Sequence, residues 1–343
     1  MPSAADQIHA EISAAGGAIP FRRFMELALY GEGGFYAGDG SAGRRGDFIT
    51  SPEVGPLFGA VLGRALDAWW KEMGEPDDFT VVEAAAGPGT LARSILAARP
   101  ACLQRGRYVA VEVSAVQRER HPEGIESRST LPDGGFTGVI IANELLDNLP
   151  FDIAVFDGGW REAWVGSSGD RFVEVLHPFD AAPSVLPASA PHGARAPIQR
   201  AAQAWLADAV SRLARGRILL FDYCTPLTAA AVMSPWREWL RTYANHERGG
   251  HYLMNPGTQD ITTQVMLDQL ESVAEPETIR TQAQFLRLWG VEELVEEGRR
   301  AWEAAAARPD LAAMKMRSRI SEAEALLDAS GLGGFTALTY RTG

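Results

Sequence analysis

Cysteine is nearly absent: the 343 residues hold two, Cys102 and Cys224, far apart and without CxxC spacing. That excludes a disulfide framework and a cysteine-ligated zinc site. Long hydrophobic runs are missing too, none approaching the ~20 residues a membrane-spanning helix needs. The opening stretch, MPSAADQIHAEISAAGG, lacks the basic start and apolar block of a secretory leader. Positive charge is in deficit, with 32 Lys and Arg against 44 Asp and Glu and a net charge of -12. An acidic surface repels phosphate backbones and anionic lipid heads. The expectations are therefore no nucleic acid, no membrane, a cytoplasmic setting, and a weak preference for a basic protein partner. The sequence leaves the oligomeric state open, and no internal repeat is visible.

What is present is core-forming material: 46% hydrophobic and 22% charged residues. The chain exceeds one average domain of ~100–200 residues, which points to a core with insertions or a lid. Residues 4–15 and 20–31 have helical spacing, with Ile8, Ile12, Phe21, Phe24, Met25, Leu27 and Ala28 on apolar faces. A glycine-rich loop runs from Gly31 to Gly46, and 54–73 reads as an apolar helix. Short β-branched runs then alternate with helices: strands at 79–83, 107–113, 138–143 and 217–223, helices at 91–98 and 198–215. Near-continuous apolar strands of this kind imply a parallel sheet covered on both faces. Residues 151–175 alternate with a period of two around Asp157-Gly158-Gly159, a hairpin pattern. Residues 181–197 read as a surface loop and 286–328 as largely helical. A final strand at 335–340, reached after that helical detour, predicts a hairpin at one edge of the sheet. The tryptophans Trp69, Trp70, Trp236 and Trp239 are expected in the core.

The strongest local pattern is Glu83-Ala84-Ala85-Ala86-Gly87-Pro88-Gly89-Thr90. A strand ends, the backbone turns, and a helix begins. Gly87 and Gly89 let backbone approach a ligand closely. The second strand ends in Glu112, where a carboxylate can accept from both hydroxyls of a ribose. Gly87-x-Gly89-x-x-Ala92 with an acidic residue downstream also matches a dinucleotide fingerprint. A dinucleotide would set pyrophosphate on the helix N-terminus. Glu83 at the strand end disfavours that anion and suits a cationic sulfonium nucleoside. A second cluster, Asn143-Glu144-Leu145-Leu146-Asp147-Asn148-Leu149-Pro150, follows the next strand, at the edge where open α/β sheets bind ligands. Its alternative reading is a helix cap with acidic first-turn residues.

Together these blocks make the chain resemble the MidA-like family of class I methyltransferases, relatives of a mitochondrial complex I assembly factor. The resemblance runs through Phe24-Met25, Ala28-Leu29-Tyr30, Gly33-Gly34-Phe35-Tyr36, Gly46-Asp47-Phe48-Ile49-Thr50-Ser51-Pro52-Glu53, the Glu83–Leu91 turn and Asn143–Pro150. It continues in Asp222-Tyr223, His246, Pro256-Gly257, Asp260-Ile261-Thr262, Thr281-Gln282 and Phe285-Leu286. It implies a Rossmann-like seven-stranded α/β sheet with an inserted hairpin and a helical cap. The implied segments are an N-terminal helical arm and glycine-rich loop (1–77), a cofactor-binding core (78–285) with its hairpin (151–175), the cap (286–328) and the last core strand (329–343). It implies S-adenosyl-L-methionine as cofactor, held by Asp47, Thr50, Pro52, Glu83, Gly87, Gly89, Glu112 and Asn143. It implies methyl transfer to a protein, on arginine, with Glu144 and Asp147 on the acceptor side; His246, with an ordinary pKa near neutrality, reads either as a proton acceptor or as a surface or capping residue. His121, His177, His192 and His251 have no supporting context. Two departures stand out: Ala85 occupies the first glycine of the family's turn, and Thr263-Gln264-Val265-Met266 lacks the Asp that usually follows Asp-x-Thr. Two other functions share the pattern: a nicotinamide-dinucleotide oxidoreductase, and a non-catalytic assembly factor that keeps the cofactor fold.

Overall fold

The structure, a computed structural model, describes residues 3–37, 50–244, 247–308 and 310–343. It divides into two compact units through which the chain passes alternately. One comprises Met1–Phe48, Leu146–Ala207 and Tyr223–Glu275; the other comprises Ile49–Leu145, Asp208–Asp222 and Pro276–Gly343. Of the arm and loop expected at 1–77, only Met1–Phe48 shares a unit with the hairpin region, and the part from Ile49 onward falls in the other unit. Among the described residues no helix is long and apolar enough to cross a membrane.

The second unit is built on a seven-stranded sheet. In chain order its strands are β1 (Thr80–Ala84), β2 (Arg107–Val111), β3 (Glu126–Arg128), β4 (Phe136–Asn143), β5 (Leu213–Asp222), β6 (Thr278–Thr281) and β7 (Thr336–Thr342). Their order across the sheet is β6-β7-β5-β4-β1-β2-β3. Strands β1 to β5 pair in parallel, with Glu83 opposite Ala110 and Ile141. Strand β7 runs antiparallel to both β5 and β6, the expected edge hairpin. The sequence reading missed β3 and β6. Each is short, at three and four residues, and lies at an edge with none of its residues fully buried, so neither carries the apolar run of a central strand. Leu57, Phe58, Val61, Ile95, Val139, Ile141, Phe221 and Phe285 fill the core of this unit. The cap region resolves into three helices, Gln282–Leu288, Val291–Ala305 and Leu311–Leu327.

In the first unit the helices Ala4–Ala14 and Phe21–Tyr30 bury Ile8, Ile12, Phe21, Phe24 and Met25 against Phe151, Ile153, Val165 and Tyr252. Ser3 and Asp6 form a reciprocal capping box at the first helix. The predicted hairpin is present as Asp152–Phe156 and Trp160–Ser168, extended by Arg171–Pro178. The stretch expected to be loop, 181–197, ends differently. Arg195–Ile198 is a strand paired antiparallel with Asp152–Val155. It lies at the sheet edge, where Pro197 can be accommodated without disrupting an internal ladder. Trp69 and Trp239 are buried as expected, whereas Trp70 and Trp236 are only partly buried.

Candidate cofactor site

Strand β1 is buried along its whole length, so the chain must leave the sheet sharply where it stops. It does so through three left-handed residues, Ala85 at φ +54°, Gly87 at +52° and Gly89 at +80°. The Ala86 N–H returns to the Val111 carbonyl at 3.0 Å, and the Gly89 N–H to the Ala86 carbonyl at 2.8 Å. Helix Thr90–Ala98 starts there with Gly89 as its N-cap, which supplies no side-chain cap. The two glycines differ in purpose. A Cβ on Gly87 would meet nothing within 4 Å, so this face of the turn is open to a ligand. A Cβ on Gly89 would lie 2.9 Å from Pro122 Cδ and 3.3 Å from His121 Cδ2, so that glycine makes room for the protein's own chain.

Glu83 is buried. Tyr108 Oη donates to its carboxyl at 2.6 Å, and the Ala92 N–H donates to it as well. Ala92 is in the first turn of the helix, so Glu83 supplies the cap that Gly89 cannot. Burial pushes its carboxyl up to about 7, with Tyr108 and the Ala92 amide opposing that shift.

Glu112 follows β2. Its Oε2 accepts the Gly87 N–H at 2.9 Å and its Oε1 the Ser114 N–H at 2.8 Å. Each carboxylate oxygen has a second lone pair, so both hydroxyls of a ribose can still be accepted. Val113 beside it is 67% exposed, an apolar surface next to the sugar acceptor that suits a flat base; the sequence reading gave it no role. Asn143 ends β4. Its Nδ2 donates to Glu144 Oε1 at 3.0 Å, while its buried Oδ1 has no hydrogen-bond partner among the described residues. An orphaned buried acceptor costs roughly 1–3 kcal/mol unless a donor reaches it, and an ammonium group is such a donor. Thr50 precedes the short helix Ser51–Val54 that contains Pro52, and both are buried. Glu53 in that helix accepts Thr90 Oγ1–H at 2.7 Å, fastening this block to the first residue of the turn helix. Asp47 and His246 lie outside the described residues. Among the described residues no cluster of His, Cys, Asp and Glu fits a metal ion.

Glu144, next along the chain, is a non-glycine residue at φ +52°, its N–H donating to the Phe221 carbonyl at 2.8 Å. Three residues further, in the other unit, Asp147 is buried. Its Oδ2 accepts Thr262 Oγ1–H at 2.6 Å, and burial raises its carboxyl above the ordinary range. Asp260 stands two positions before Thr262, on the same face of strand Asp260–Thr263. Its Oδ1 accepts from Asn148 Nδ2 at 3.0 Å, Tyr36 Oη at 3.1 Å and the Ile261 N–H at 2.9 Å. Burial and the neighbouring Asp147 charge push it up to about 7. Sequence reading assigned no role to Asp260, Asn148 or Tyr36. The one available signal was that all three lie in the blocks that carry the family resemblance.

A parallel sheet in this order with one antiparallel strand near its edge, a glycine turn after β1 and a carboxylate after β2 define a class I methyltransferase. The comparisons agree. A family profile for S-adenosyl-L-methionine-dependent methyltransferases matches residues 61–284. The chain belongs to that family. A COG1565 superfamily member from Burkholderia thailandensis, crystallised with S-adenosyl-homocysteine, superposes with a TM-score of 0.85 at 27% identity, covering 98% of this chain and 91% of that one. The mitochondrial protein arginine methyltransferase NDUFAF7 homolog of Drosophila melanogaster is 27% identical over 317 residues, 80% of this chain and 70% of that protein. Human NDUFAF7 matches over a shorter stretch, 41% identical across 63 residues, or 18% of this chain and 14% of that protein. The protein is an S-adenosylmethionine-dependent methyltransferase; the dinucleotide alternative finds no support.

Proposed function

We propose that the methyl acceptor is an arginine side chain of a protein. The NDUFAF7 relatives, named as protein arginine methyltransferases, support this reading. The observation that carries it on this chain is Glu144. A left-handed non-glycine residue costs of order 1–3 kcal/mol and clusters at functional sites. Here that strain is held by the Phe221 carbonyl, and it sets an ionisable group directly after the strand that ends in Asn143.

S-adenosylmethionine, when bound, supplies a methyl group on a sulfonium. Glu112 would accept from its ribose hydroxyls, and Asn143 Oδ1 from its ammonium. Gly87 leaves the turn open for close approach. Glu144 would hold the acceptor guanidinium through charge-assisted hydrogen bonds, which fit that planar fork. Each nitrogen that gains a methyl sheds one proton.

The test is incubation of the full chain with methyl-labelled donor and a cell extract lacking this protein, with mass spectrometry of the labelled residues. Label on arginine, lost by roughly 100-fold or more in Glu144→Gln while donor affinity stays within about twofold, is the expected result. Label on lysine or on a small molecule, or full transfer by Glu144→Gln, would overturn the reading.

A further inference from the structure

The turn that receives the cofactor is open on one side, and its other side is held by a residue that the sequence reading set aside. His121 follows helix Ala115–Arg118 in the segment leading to β3. Its Nε2 lies 2.9 Å from the Gly87 carbonyl oxygen, and its Nδ1 lies 2.8 Å from Ser127 Oγ on β3. A carbonyl oxygen can only accept, so Nε2 carries the hydrogen; in the neutral ring Nδ1 then accepts the Ser127 hydroxyl proton. Pro122, the next residue, closes the space behind Gly89.

Gly87 is therefore gripped at both ends of its backbone. Its N–H donates to Glu112 Oε2 and its carbonyl accepts from His121. The neighbouring carbonyl is tied as well: Arg93 Nη1 donates to the Pro88 carbonyl at 2.9 Å and to the Arg120 carbonyl at 3.1 Å. A glycine at φ +52° with nothing beside it has wide conformational freedom. Without an anchor on its carbonyl, the peptide after it can rotate, and the turn that presents the Gly87 N–H to Glu112 loses one of its restraints.

We propose that His121 is a positioning residue for the cofactor: its Nε2–H fixes the Gly87 carbonyl, and through Gly87 it holds the Glu112 carboxylate in the orientation that accepts the ribose. Ser127 fixes the ring. The proposal concerns donor binding alone and does not depend on which acceptor is methylated.

Calorimetric titration of the full chain with S-adenosylhomocysteine, well below the unfolding midpoint of each variant, tests it. His121→Ala removes the donor and should raise Kd about three- to tenfold, the effect of losing one neutral hydrogen bond. His121→Gln places an amide N–H near the Nε2 position and should return Kd to within about twofold of the parent. His121→Asn restores a donor only near Nδ1, towards Ser127, and should bind as weakly as the alanine variant. Ser127→Ala should shift Kd in the same direction by a smaller factor. A residue of purely structural importance would lower the unfolding temperature in all variants without separating glutamine from asparagine in affinity. Parent-like Kd in His121→Ala would overturn the proposal, as would asparagine rescuing as fully as glutamine. Should His121→Ala fail to fold, the glutamine–asparagine comparison decides it alone.

Discussion

Ala85 sits where a left-handed backbone is required, with a side chain that resists it. The methyl group adds roughly 1 kcal/mol of local strain, and the turn holds because Ala86 and Gly89 close it with backbone hydrogen bonds. Ala85→Gly should relieve that strain, offset in part by greater freedom of the unfolded chain. The expected outcome is a change between zero and about 1 kcal/mol in the stabilising direction by urea unfolding, with donor affinity unweakened. Destabilisation by more than about 1 kcal/mol would show that the Ala85 methyl makes a contact worth more than its strain. The two turn glycines separate in the same way. Gly89→Val drives side-chain atoms into Pro122 and should lower stability by several kcal/mol, weakening binding as a consequence. Gly87→Val puts its bulk into the open face and should abolish donor binding at a smaller loss of stability. Equal thermal shifts for the two would contradict the assignment of one face to the protein and the other to the ligand.

At the scale of elements, helix Thr90–Ala98 begins on a residue that cannot cap it, and Glu83 caps it from β1. Glu83→Ala should cost about 1–3 kcal/mol by leaving the Tyr108 hydroxyl and the Ala92 N–H unsatisfied. Glu83 and Asp260 share one pH behaviour. In each, burial raises the folded pKa above the ordinary carboxylate value near ~4, to about 7. The protonated form then favours the folded state. That contribution is complete below about pH 4 and is lost as pH rises through about 7. Asp260→Asn should therefore raise stability relative to the parent at pH 8 more than at pH 5, measured by denaturant unfolding at both values. A stability difference that does not change with pH would show that Asp260 is charged throughout. These roles were hidden in the sequence for a physical reason. Glu83 reads as a ligand carboxylate because strand ends face the crevice, and its contacts with the Tyr108 hydroxyl and the Ala92 amide, which link distant parts of the chain, are not visible in the sequence. Asp260 reads as one acidic residue in a polar run, and only the pairing of distant blocks brings it to Asn148 and Tyr36.

For the molecule as a whole, the alternation of apolar strands and helices was enough to place β1, β2, β4, β5 and β7, and the helical detour before the last strand announced the antiparallel edge. The glycine turn and Glu112 were legible because both obey local rules: a tight exit from a buried strand, and a carboxylate at the next strand's end. The division of the chain was not legible. Phe21 and Phe24 look like an isolated amphipathic arm, and only their burial with Phe151 and Ile153 assigns them to the same unit as the hairpin about 130 residues later.

The measurement that bears most directly on the account is titration of S-adenosylmethionine into the parent chain and into Glu112→Ala. The account predicts saturable one-to-one binding by the parent and a loss of about tenfold or more in the variant, since a carboxylate accepting two hydroxyls gives two charge-assisted hydrogen bonds. Equal affinity in the two proteins would contradict it.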